Sequence, residues 1–254
     1  MKAKCLTLNS RRFEIGRRQI FCNIAVLLIL AASVGYSTAA PTATAQSRDL
    51  AAMKAEQEAI TPAQALELLR TGNERFVSGK TKPRDMLHDQ RVTAAGQYPY
   101  AAILSCIDSR APAEIIFGTG LGEIFNARVA GNIADEDIMG SMEFACKVAG
   151  SKVVLVMGHT ACGAIKGAID DVKLGNLTAL LAKIRPAVEA TQYTGERTAK
   201  NYAFVDAVAR KNVELTIAKI REQSPVLREL ESSGSIKIAG SMYNLETGVV
   251  DFLE

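Results

Sequence analysis

Two apolar runs, Ala101 to Ser105 and Val153 to Met157, each lead within a residue into a chemically loaded motif. The first meets Cys106-Ile107-Asp108-Ser109-Arg110, and the second, after Gly158, meets His159-Thr160-Ala161-Cys162-Gly163. Short continuous apolar runs of this kind read as strands of a buried parallel sheet. In an open parallel sheet, chemistry collects just beyond the carboxyl ends of the strands. Neighbouring strands lie roughly 4.8 Å apart, so if these two strands are neighbours, Cys106, His159 and Cys162 converge at one edge. Two thiolates and an imidazole form the ligand set of a catalytic zinc whose fourth position is left open. Asp108 and Arg110 then stand beside the metal as a carboxylate–guanidinium pair.

Each residue also has a plainer reading. Cys106 at the end of an apolar strand is a core cysteine unless the strand has reached a sheet edge. The three polar residues Asp108, Ser109 and Arg110 that follow favour the edge. His-x-x-Cys alone is weak, but its spacing lets both side chains reach one metal across a strand-to-helix turn. With Cys162 in the first turn of a helix, the helix dipole favours its thiolate. Asp108 and Arg110 as an exposed ion pair would contribute little. Beside a metal-activated water, Asp108 gains a role as proton acceptor and Arg110 as the group that keeps Asp108 off the metal. Cys146, in the apolar helix-like stretch Met142 to Val148, reads as a buried small hydrophobe.

Strands are expected at Ala101–Cys106, Ile124–Ala130, Val153–His159 and Ile236–Met242. Helices are expected at Asp135–Ala149, Cys162–Asp170, Leu177–Ala190, Thr198–Gln223 and Pro225–Ser232. This alternation predicts an α/β fold with a parallel-core β-sheet flanked by helices. Upstream, Thr61-Pro62 opens a helix running to Phe76, with Thr at the cap, Pro at the first position and Ala65, Leu68, Leu69 and Phe76 on its apolar face. Arg48 to Ala59 reads as a mobile or loosely docked helix, and Gly79 to Tyr98 as a polar loop carrying His88.

The extreme N-terminus reads as an export signal over residues 1–45. A basic stretch precedes an apolar run centred on Ile24 to Ala32, followed by Ala43-Thr44-Ala45 as a cleavage site before Gln46. Arg17-Arg18-Gln19-Ile20-Phe21 fits a twin-arginine signal, and a general secretory signal rich in Arg is the other reading. The apolar run is short for a membrane span, which needs about 20 residues, so the mature protein is expected to be exported to the periplasm without a stable span. Six of the 30 Lys and Arg and one of the 27 acids fall in residues 1–45, which leaves 24 bases and 26 acids. That balance exerts no overall pull towards nucleic acid. The domain organisation is thus an export signal (1–45), a mobile segment (46–60) and one catalytic domain (61–254). The odd count of three cysteines after the signal, Cys106, Cys146 and Cys162, argues against a pure disulfide framework.

Together the motifs resemble the β-class carbonic anhydrases, over roughly Thr61 to Glu254. The resemblance rests on Cys106-x-Asp108-x-Arg110, His159-x-x-Cys162-Gly163, Arg128-Val-Ala-Gly131-Asn132 and the closing Met242-Tyr243-Asn244-Leu245-x-Thr247-Gly248-x-Val250-x-Phe252-Leu253. It implies one zinc per subunit on Cys106, His159 and Cys162, catalytic Asp108 and Arg110, and reversible hydration of CO2 to bicarbonate and a proton. It also implies a homodimer or tetramer in which the N-terminal helices, here Thr61–Phe76, pack on a partner subunit. Gly96-Gln97-Tyr98-Pro99 resembles the G-Q-x-P of plant-type members, where the Gln reaches the active site across the dimer interface, so Gln97 is expected to bind substrate. There are departures. Ala111 stands where many bicarbonate-inhibited bacterial members carry Val, Val129 where an Asn often follows the Arg, and Gly118 where an acid is frequent. Two alternatives share these motifs: a CS2 or COS hydrolase of similar fold, and a catalytically silent zinc-binding protein. The intact Asp108 and Arg110 weigh against the silent reading. The Gly-rich stretch Gly118 to Gly122 precedes a strand rather than opening a helix, so it is not read as a nucleotide loop.

Overall fold

The computed structural model describes residues 49–253. The expected export signal therefore lies outside the described residues, as does the start of the segment 46–60. Among the described residues, five strands form one sheet in the order β2-β1-β3-β4-β5. These are β1 (Ala101–Ser105), β2 (Ile124–Arg128), β3 (Val153–His159), β4 (Lys237–Tyr243) and β5 (Val250–Leu253). The first four are parallel, and β5 returns antiparallel along β4. β1 and β3 are neighbours, with Ser105 level with Met157. This is the pairing the two motifs require.

The apolar runs are continuous because both faces of the sheet are covered. Leu104, Val154 and Val156 point into one core, and the alternate residues Ala101, Ile103, Val153, Leu155 and Met157 into the other. Successive side chains on a strand take opposite faces, so a strand buried on both sides has no polar position to spare. Full burial of each such Val, Leu or Ile contributes about 1.5–3 kcal/mol. The first core is closed by α5 (Glu136–Glu143), α6 (Gly163–Ile169), α7 (Gly175–Ala190), α8 (Tyr202–Gln223) and α9 (Pro225–Ser232). On the opposite face lie α2 (Pro62–Val77) and the short α4 (Ala113–Ile116).

The start of α2 follows its sequence closely. Thr61 and Gln64 form a reciprocal capping box and Pro62 occupies the first turn. Leu68, assigned to the apolar face, is instead exposed, while Leu69 is fully buried. The helix α1 (Leu50–Ala59) is anchored rather than mobile or loosely docked. Met53 and Gln57 are buried, and the Gln57 amide donates to the carbonyls of Pro99 and Ala149, each at 2.7 Å. The polar stretch read as a loop contains α3 (Met86–Thr93), capped by Asp85. No residue of α3 is buried, so its sequence carries no apolar stripe by which a helix is recognised. The strand β5 was not expected: at four residues its alternation is too short to register. The expected helix Asp135–Ala149 is α5 followed by a π-turn over Phe144–Val148. The helix expected from Thr198 begins at Tyr202, capped by Asn201.

Candidate metal centre

β1 and β3 deliver the three candidate ligands to one point. Cys106 follows the last residue of β1, His159 ends β3, and Cys162 is the cap residue of α6. One ligand atom from each lies within 4.8 Å of the others, and all three residues are buried. The two sulfurs are 4.0 Å apart. His159 Nδ1–H donates to the Thr160 carbonyl at 2.9 Å. That bond fixes the tautomer and leaves a lone pair on Nε2. Nε2 is buried and has no hydrogen-bond partner. A buried, orphaned imidazole nitrogen aimed at two thiols is costly unless something fills the gap, and a thiophilic cation fits that donor set.

The electrostatics agree. The contact with Cys162 lowers the Cys106 pKa to about 4, against the burial that opposes it. Cys162 itself is pushed up, first by the same contact and then by burial, while the amides of Ile165 and Ala164 at the start of α6 favour its thiolate. Burial pulls the imidazole of His159 down, but Cys106, the Thr160 carbonyl and Asp108 outweigh it and the net direction is up.

Asp108 stands over this cluster, its Oδ2 3.8 Å from His159 Nε2. Arg110 grips it with Nε to Oδ1 at 2.9 Å and Nη2 to Oδ2 at 2.8 Å, and its backbone amide adds a bond to Oδ1 at 3.0 Å. These bonds hold the Asp108 carboxyl well below the usual carboxylate range, with burial opposing. The pair is thus a bidentate fork, with the Asp108 carboxylate largely covered and the Arg110 side chain exposed.

Other residues join the site through contacts from distant parts of the chain. Arg128, at the end of β2, donates to the carbonyls of Cys106 at 3.0 Å and Asp108 at 2.5 Å, and so holds the loop between them. The Gly131 amide points at Cys106 Sγ, 3.4 Å away. Gly131 has φ +70°, a conformation that favours glycine, and a Cβ there would displace the tip of the Ile184 side chain, 2.5 Å away. Asp206 of α8 accepts the Ala161 amide at 2.7 Å. Arg128 and Gly131 lie in a motif already singled out, but their contacts, like that of Asp206, span too much chain to be seen in it.

One expected participant, Gln97, is not at the cluster within one chain. Gln97 is exposed and precedes β1, and Tyr100 is tied to Glu123 and Lys152 at the amino ends of β2 and β3. It therefore lies at the opposite edge of the sheet from Cys106. His88 sits on α3, whose flank meets Gly118 and Glu123 through Arg84 at that same far edge. Cys146 is buried in the first core, and burial pushes its thiol up to about 12.

Fold and site together define an α/β protein with a thiolate–imidazole cluster at the carboxyl edge of a mainly parallel sheet. The sequence model of the carbonic anhydrase family matches residues 101–250. Carbonic anhydrase 2 of Mycobacterium tuberculosis is 35% identical over 193 residues, covering 74% of this chain and 90% of the relative. The carbonic anhydrase of Mycolicibacterium smegmatis is 30% identical over 196 residues, covering 75% and 92%. Among solved structures, a β-carbonic anhydrase of Aspergillus fumigatus superposes with TM-score 0.58 at 24% identity, covering 76% of this chain and 90% of that one. A tetrameric β-carbonic anhydrase of Sordaria macrospora gives 0.57 at 24% identity, covering 75% and 97%. The chain belongs to the carbonic anhydrase family, and its fold is that of the β-class structures.

Proposed function

We propose that this carbonic anhydrase reversibly hydrates CO2 with one zinc per subunit, held by Cys106, His159 and Cys162. The observation that carries the reading is the convergence of those three buried side chains on one point, with His159 Nε2 left unpartnered. Zinc bound there would act as a Lewis acid and lower the pKa of a coordinated water towards neutrality. Asp108, held as a carboxylate by Arg110, faces the cluster and accepts a hydrogen bond from the nucleophilic water, which orients a lone pair towards CO2. Arg110 keeps that carboxylate turned to the guanidinium, so Asp108 does not close the fourth position itself. Arg128 fixes the Cys106–Asp108 loop from behind, so that Asp108 and Cys106 keep their separation.

Gln97 would complete the site of a neighbouring subunit, where its amide donates to a substrate oxygen. Its exposure and its place at the far edge of its own sheet support this assignment. A homodimer or tetramer is then needed for activity, in keeping with the tetrameric Sordaria macrospora protein. Export to the periplasm, with cleavage before Gln46, follows from the N-terminal sequence pattern. N-terminal sequencing of protein from the cell envelope checks it, and an intact Met1 in a soluble cytoplasmic fraction would end it. No described helix is long and apolar enough to cross a membrane.

Stopped-flow CO2 hydration combined with zinc quantification tests the main reading. One zinc per chain with rapid hydration is expected. Stoichiometric zinc without hydration would leave a silent metal-binding protein.

A further inference from the structure

The turn that joins His159 to Cys162 is held in a conformation its sequence does not favour. Ala161 lies at φ +55°, in the left-handed region that a residue with a Cβ seldom adopts. Its neighbours are tied in different directions. Thr160 bonds through its amide to the Tyr243 carbonyl of β4 at 3.0 Å, and its hydroxyl accepts the Leu245 amide at 3.0 Å. Cys162 is joined to α6 through its carbonyl, which accepts the Lys166 amide at 3.0 Å. Ala161 is the joint between these two anchored pieces. Its amide is captured by Asp206 Oδ1 at 2.7 Å, from a residue 45 positions further along the chain. Asp206 is half-buried on α8, between Val205 and Val208, which are fully buried in the core that includes Val154 and Val156 of β3. The carboxylate is therefore presented from a fixed platform, and a charged acceptor makes a stronger bond to an amide than a neutral one.

We propose that Asp206 is a positioning residue for the metal cluster: by capturing the Ala161 amide it holds the strained turn in the one conformation that aims His159 and Cys162 at the point reached by Cys106. Without that bond, Ala161 relaxes towards negative φ, the peptides on either side of it rotate, and the His159 and Cys162 ligand atoms move apart. Asp206 reaches a main-chain amide, so the residue at 161 can be changed while the bond is kept. A glycine at 161 adopts the same φ at no steric cost, which separates the strain from the bond. The inference rests on the zinc site proposed above.

The test is zinc affinity, measured by chelator competition, together with the visible spectrum of the cobalt-substituted protein, which reports ligand geometry independently of activity. Asp206→Ala preserves helix propensity in α8. It is expected to weaken zinc about 10- to 100-fold, the range typical of groups that orient metal ligands, and to alter the cobalt–thiolate bands. Asp206→Asn keeps an acceptor oxygen and should restore affinity to within about threefold of the wild type. Ala161→Gly placed in the Asp206→Ala background should also recover most of the loss. Zinc affinity within about twofold of wild type in Asp206→Ala, with an unchanged cobalt spectrum, overturns the inference. So does a loss that neither Asn nor Ala161→Gly recovers, because that marks general damage to the fold. If Asp206→Ala does not fold, Ala161→Val with Asp206 intact puts a β-branched residue on the strained joint. It should weaken zinc, and unchanged affinity there counts against the proposal. A wild-type protein that binds no zinc breaks the metal reading itself, before any variant is compared.

Discussion

Cys106 and Cys146 are nearly equally hidden, 4% and 6% exposed, yet they sit in opposite chemical worlds. Cys146, on the π-turn after α5, packs in the first core, and desolvation alone pushes its thiol up to about 12. Cys106, at the carboxyl end of β1, meets Cys162, His159 and the Gly131 amide, and these partners pull it down to about 4 against its own desolvation. Burial by itself makes an inert thiol. At Cys106 burial is joined by groups that stabilise the charged form, and in this fold such groups gather where parallel strands end.

The contrast breaks most visibly if the wrong cysteine matters. Replacing Cys106, His159 or Cys162 with Ala should abolish stoichiometric zinc and lower CO2 hydration at least about a thousandfold, roughly 4 kcal/mol. Cys146→Ala should keep one zinc per chain. Metal analysis of purified variants decides this, and a Cys146→Ala protein without zinc would invert the comparison. Next in size are the groups that work around the cluster rather than in it. Asp108→Asn and Arg110→Ala should retain zinc while kcat/KM falls about 10²- to 10⁴-fold. Rates near wild type in either variant would reduce the fork to an ordinary ion pair. Gln97→Ala should cost about 10²-fold in kcat/KM with zinc unchanged, as expected for one lost hydrogen-bond donor to substrate oxygen. Oligomers mixed from Gln97→Ala and Asp108→Asn subunits should regain activity if the amide acts across the interface.

The smallest effect sharpens the inert side. Cys146→Ala should cost about 1 kcal/mol of stability at neutral pH, read by denaturant unfolding. Cys146 has a folded pKa raised from 9.0 to about 12, so the native state holds its proton more tightly than the unfolded chain does. The stability it contributes is full below pH 9 and drains away as pH rises through the window up to about 12. Removing Cys146 should therefore flatten the fall of stability between those limits, by up to about 1.4 kcal/mol per pH unit. Identical slopes in variant and wild type would show that Cys146 is not desolvated in solution.

The sequence by itself determined the sheet core and the members of the Cys106–His159–Cys162 cluster. The runs Ala101–Ser105 and Val153–Met157 are apolar without interruption because both faces are covered, and a change to polar residues at the end of such a run marks a sheet edge. These are local regularities, legible over five or six residues. The cap at Thr61 was legible for the same reason. What lacked a local period was missed: α3 has no buried face, and β5 is only four residues long. Tertiary structure alone decided that β1 and β3 are neighbours, so that Cys106 meets His159 and Cys162, more than 50 residues away. It alone brought the Arg128 guanidinium onto the Cys106 and Asp108 carbonyls, and put Asp206 under Ala161. It also set Gln97 at the far edge of its own sheet. A contact across 20 to 56 positions leaves no pattern in either segment, because its energy depends on where two elements dock and not on what either would do alone.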